Sequence, residues 1–69
     1  MVTDEEFEFM EFCVKNVNAN NYVSKKNLDK AIEIAERIIY KNEICSKTLD
    51  GVEKRTILVV LNSARERLR

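Results

Sequence analysis

The segment LDKAIEIAERII, Leu28 to Ile39, constrains the fold more than any other part of the chain. Leu28, Ala31, Ile32, Ile34, Ala35, Ile38 and Ile39 recur at helical spacing and form a broad apolar arc. A helix with so wide an apolar side must be covered by other helices. Ser24 stands where a helix cap is expected, so the predicted span is 25–41. Glu33 and Arg37 lie four apart on its wet side, the spacing of a stabilising ion pair.

Two further helices are predicted around it. The sequence TDEE places Thr3 three residues before Glu6, the spacing of a capping box, and starts a helix over 4–16. Phe7, Met10, Cys13, Val14 and Val17 share its apolar side. Asp50, with Glu53 three residues on, opens a third helix over 51–69, striped by Ile57, Leu58, Leu61, Ala64 and Leu68. Its TILVVL run is β-branched enough for a buried strand. A single strand has no evident pairing partner, so the helix is the expectation. The fold class expected is all-α, a small three-helix bundle in one domain over residues 1–69.

Size and composition limit what this bundle does. A chain of 69 residues buries only about 60% of the surface its unfolded form exposes, so a partner or staple would help it. There is no histidine, proline is absent, and a single glycine, Gly51, excludes phosphate-cradling glycine loops. Cys13 and Cys45 are too far apart for a zinc or redox motif, and a disulfide between them stays open. Two cysteines and no long apolar run suggest a soluble, cytoplasmic setting. The charge is asymmetric. Residues 1–36 carry four lysines against eight acids, and residues 37–69 carry eight cations against four acids. Such an arrangement complements helix dipoles, and it also steers a charged partner or a second copy.

Five apolar residues fall outside the stripes: Phe9, Phe12, Tyr40, Val52 and Val59. Either helix crossings absorb them, or they mark a second side covered by another protein. Phe9 and Phe12 lie in TDEEFEFMEF, among Glu5, Glu8 and Glu11. Carboxylates interleaved with aromatics suit a basic, apolar groove of a partner, or imitate a nucleic-acid strand. The plainer reading is an N-terminal helix with acids matched to its dipole.

The asparagine-rich stretch NVNANNYVSKKNL, Asn16 to Leu28, invites a metal-binding reading. Asn16, Asn18 and Asn20 fall at the early ligand positions of a twelve-residue loop, Asn21 at its turn, Val23 at its apolar eighth place and Ser24 at the ninth. In this the stretch resembles a calmodulin-type EF-hand loop. Such a loop needs carboxylates and a final bidentate glutamate, but Asn27 stands last and no acid lies between Asn16 and Asn27. The expectation is therefore a left-handed turn followed by a serine cap, with no metal and no cofactor. A relic EF-hand without calcium is the lesser alternative.

A second pattern is GVEKRTILVVLNSA, residues 51–64. Gly51, Val52, Thr56, Ile57, Val60, Leu61 and Asn62 take places that resemble the turn and recognition helix of lac-repressor-type helix-turn-helix proteins. The resemblance implies that Glu53, Lys54, Arg55 and Thr56 face DNA. Lys47, Leu58 and Val59 depart from that pattern. Catalysis has less support. Cys13 sits on an apolar stripe, Cys45 lies in a link beside Lys47, and Asp29, Glu33 and Glu36 share a wet helix edge with no opposing wall. The expected function is non-enzymatic: a small regulatory or adaptor protein binding through a helix face, its partner another protein or a second copy. The contact residues expected are Phe9, Phe12, Tyr40, Val52 and Val59, oriented by Glu5, Glu8 and Glu11. The alternative is the DNA-binding regulator.

Overall fold

The wide arc of the middle helix determines the architecture. Measured from Ala35, Ile34 and Ile32 lie about 160° apart around the helix at about 100° per residue, more than one neighbouring helix covers. The computed structural model describes residues 2–41, Glu43 and 51–68, with side chains described from Arg55 onward in the last segment. It has α1 at Asp4–Asn18, α2 at Lys25–Tyr40 and α3 at Gly51–Arg67. The two outer helices pack on either flank of α2 and also on each other. The fold is thus an all-α three-helix bundle. The TILVVL segment is helical, because Ile57, Leu58 and Leu61 turn inward together where a strand would alternate them. The Asp50 cap and Cys45 lie outside the described residues, as do the side chains of Val52, Glu53 and Lys54.

Met10, Leu28, Ile34 and Leu61 are almost wholly buried, and Phe7, Cys13, Ala31, Ile32, Ala35, Ile38, Ile57, Leu58 and Ala64 pack in the core with them. Val2 joins them at 1% exposure, a residue that periodicity alone overlooks. The cause lies in the start of α1. Thr3 caps the helix by accepting from the Glu6 N–H (3.1 Å), while Glu6 accepts from the Thr3 N–H (3.0 Å). The residue before the cap then stands near the fourth helical residue, so Val2 and Phe7 are buried together as a hydrophobic staple. Burying a side chain of this class contributes about 1.5–3 kcal/mol, a large share of stability in so small a domain.

The asparagine run closes α1. Asn20 takes a left-handed φ of 60°. The Asn20 N–H donates to the Val17 carbonyl (3.0 Å), and the Asn21 N–H reaches back to Asn16 (2.9 Å). These two bonds and the left-handed residue make a Schellman closure. The Asn21 side-chain amide also donates to the Asn16 side chain (3.1 Å), and that of Asn16 donates to the Phe12 carbonyl (2.8 Å). Ser24 then accepts from the Asn27 N–H (3.3 Å) and opens α2. The turn-and-cap reading therefore accounts for Asn16, Asn20, Asn21 and Ser24 without a metal ion.

Asparagine is tolerated at Asn20 because its short polar side chain accepts left-handed geometry, whereas a β-branched residue there costs about 1–2 kcal/mol. Asn20→Val should lower the urea midpoint accordingly, and Asn20→Gly should leave it unchanged or raise it. Urea titration followed by circular dichroism at 222 nm checks both.

Candidate functional site

Arg37 late in α2 pairs with Glu6 at the start of α1, and Arg65 late in α3 pairs with Asp29 near the start of α2, so α1 and α3 run the same way and the charges sort in space. One end gathers the C-termini of α1 and α3 with the start of α2. It carries Lys15, Lys25, Lys26, Arg65 and Arg67 against Asp29 and Glu66. Among the described side chains, the opposite end carries Asp4, Glu5, Glu6, Glu8, Glu36 and Glu43 against Arg37, Lys41 and Arg55. The asymmetry between the two halves of the sequence thus becomes a polarity along the bundle, whose longest extent is 31 Å.

Arg37 forms an ion-pair centre at the acidic end. Arg37 Nη1 donates to Glu6 Oε2 (2.8 Å), and Arg37 Nη2 donates to Glu43 Oε1 (2.9 Å). Arg37 Nε adds contacts to both Glu43 oxygens at 3.2 Å. The Glu43 N–H and the Lys41 N–H both donate to the Arg37 carbonyl. Arg37 therefore fastens the start of α1 to the end of α2. This corrects the expected i,i+4 pair, because Arg37 turns away from Glu33, which stays exposed. A partner on α1 together with a two-oxygen grip on Glu43 offers more charge-assisted bonds than a solvated neighbour does. Arg37 pulls the Glu43 carboxyl down to about 2. The Thr3 backbone N–H, followed by Arg37, holds Glu6 below its usual value.

The expected contact residues do not gather into one patch. Phe12 is 65% exposed on the side of α1 opposite Met10, with Glu5, Glu8 and Glu11 also exposed along that helix. Phe9 is half-buried, packed against the core and capped by Lys30 of α2, whose Nζ lies 4.9 Å from the ring centre. Tyr40 is exposed at the end of α2, and Val59 is 65% exposed on the outer side of α3. These are three different helices. Val52, Glu53 and Lys54 lie outside the described side chains, and Arg55 and Thr56 are exposed near the start of α3. Gly51 and Val52 belong to the first turn of α3 rather than to a turn ahead of it.

Sequence periodicity did not point to the surface concavity that α1 and α3 form together. An open groove of about 750 Å³ runs between α1 and α3 toward the basic end, lined by Val17, Asn18, Val59, Val60, Ser63 and Arg67 among others. A second hollow continues it under the turn, where Tyr22, Val23, Ala64 and Leu68 meet. Tyr22 is 80% exposed, and Leu68, expected in the α3 stripe, is 38% exposed. Leu68 lies just past the last residue of α3, where less of the bundle remains to cover it.

Cys13 is a free thiol buried in the core, its Sγ 3.9 Å from the Asn27 carbonyl, and burial pushes its pKa up, away from the reactive thiolate. Among the described residues no three His, Cys, Asp or Glu side chains converge on a metal-sized site. Among them, too, no helix is long and apolar enough to cross a membrane.

The Arg37 centre makes stability depend on acid. Glu43 and Glu6 have folded pKa values below their ordinary 4.5, so their stabilisation is complete above that value. It is lost as pH falls through their lowered folded values, where the carboxylates bind protons that the folded state resists. The melting temperature should hold between pH 7 and 5 and drop below 4.5. Arg37→Met should lower it at neutral pH and flatten the acid limb. Thermal melts across pH check both.

Compared with known proteins, the chain matches no protein-family model, no curated protein and no solved structure.

Proposed function

We propose that this chain is a small non-enzymatic regulatory or adaptor protein that works by helix-face contact with another protein. The outward side of α1 is the contact. The observation that carries this reading is Phe12: a large aromatic, 65% exposed, on a helix whose buried residues already complete the core without it. Glu5, Glu8 and Glu11 around it give the surface a sign and hence an orientation toward a basic, apolar partner. Tyr40 and Val59, on other helices, extend contact beyond α1 only where a partner wraps the bundle.

A second reading, DNA binding through the start of α3, is favoured by the exposure of Arg55 and Thr56. The two readings predict opposite behaviour. Phosphate contacts make affinity fall steeply with salt, whereas an apolar helix-face contact is much less affected.

Phe12→Ala should leave the melting temperature within the range of ordinary surface changes, about ±0.5 kcal/mol in stability, because the residue is exposed. It should abolish retention of a nuclease-resistant protein partner in a pull-down with the tagged chain. Lys54→Ala and Arg55→Ala should leave that retention intact. Retention destroyed by nuclease, and by these two substitutions rather than Phe12→Ala, would transfer the function to α3 and DNA.

A further inference from the structure

We infer that Arg37 is a latch: its guanidinium makes the capped start of α1 and Glu43, beyond the end of α2, open and close as one unit. The geometry runs through a single carboxylate. Glu6 Oε1 accepts from the Thr3 N–H (3.0 Å) and closes the capping box, while Glu6 Oε2 accepts from Arg37 Nη1 (2.8 Å). The group that caps α1 is thus the group that Arg37 holds. The cap in turn retains Val2, which is buried just ahead of it. Opening the cap therefore frees an apolar residue from the core and uncovers its neighbour Phe7.

Glu43 sets the aim of that guanidinium. Its carboxylate takes Nη2 at 2.9 Å and Nε at 3.2 Å, and its N–H donates to the Arg37 carbonyl (3.1 Å). A planar fork gripped along one edge presents its remaining N–H groups in a fixed direction, and here Nη1 meets Glu6. Without that grip the long Arg37 side chain regains rotamer freedom and trades Glu6 for water. Shelter adds to the effect, since all three side chains are less than a third exposed. The Arg65–Asp29 pair at the other end is longer, 3.5 Å, with both side chains exposed, and fastens weakly. A change at Glu43 is therefore felt at the start of α1, while the basic end stays closed.

Amide hydrogen exchange on the labelled chain tests the latch. The reporters are the Glu6 and Phe7 N–H groups, which bond the Thr3 hydroxyl and the Thr3 carbonyl. The Asn27 N–H, held by the Ser24 cap at the other end, is the control. Glu43→Gln should speed exchange at Glu6 and Phe7 by about two- to fivefold, the factor that loss of a modest ion pair brings, and leave Asn27 unchanged. In an Arg37→Met background Glu43→Gln should add nothing, because the connection is already cut. Circular dichroism checks that each variant folds. If Arg37→Met does not, Arg37→Lys keeps the charge without the fork and should shrink the effect of Glu43→Gln. Unchanged or slower exchange at Glu6 and Phe7 in Glu43→Gln overturns the inference. So does an acceleration of the same size with Arg37 replaced, or one that includes Asn27.

Discussion

The apolar arc of α2 is the constraint on which the rest of the structure depends. Its buried residues span too much of the helix circumference for one neighbour, so α1 and α3 must both pack on it, one to each flank. Arg37 late in α2 meets Glu6 at the start of α1, and Arg65 late in α3 meets Asp29 near the start of α2, so α1 and α3 run the same way. Their parallel course brings the basic end of α3 beside the C-terminus of α1. The lengthwise polarity and the groove between α1 and α3 therefore follow from how α2 is buried.

Around that centre the chain is held by local devices. Val2 and Phe7 staple the start of α1, its Schellman closure runs through Asn20, and Ser24 starts α2 three residues later. Arg37 joins these local devices to the tertiary fold, because it bonds a residue of the α1 capping box and a residue just beyond α2. Charge, capping and packing agree at each of these points, which is how a small core specifies one arrangement.

What the sequence reveals and what it hides divide along physical lines. Helix periods and caps depend on neighbours three or four residues away, so α1, α2, the Thr3–Glu6 box and the Ser24 cap were legible. That Phe12, Tyr40 and Val59 stand off the stripes was legible too, but whether helix crossings would cover them was not, since that depends on how the helices are set against each other. Partners distant in sequence were not legible. Arg37 prefers Glu6, 31 residues away, to Glu33, and Phe9 finds Lys30 on another helix. Val2 was hidden because it precedes the helix, although its place before a capping box was a usable signal. Tyr22 was passed over inside a polar turn, and the groove exists only once two helices are set side by side.

The central claim is that the bundle closes around the apolar arc of α2 and leaves the outward side of α1 exposed. Native-state amide hydrogen exchange, followed in two-dimensional ¹H–¹⁵N spectra of the labelled chain, tests it most directly. The account predicts the slowest exchange at Ile32, Ile34 and Ala35, with Met10 and Leu61 slow beside them. Amides of α2 that exchange as fast as those of the turn over 20–23 would contradict it.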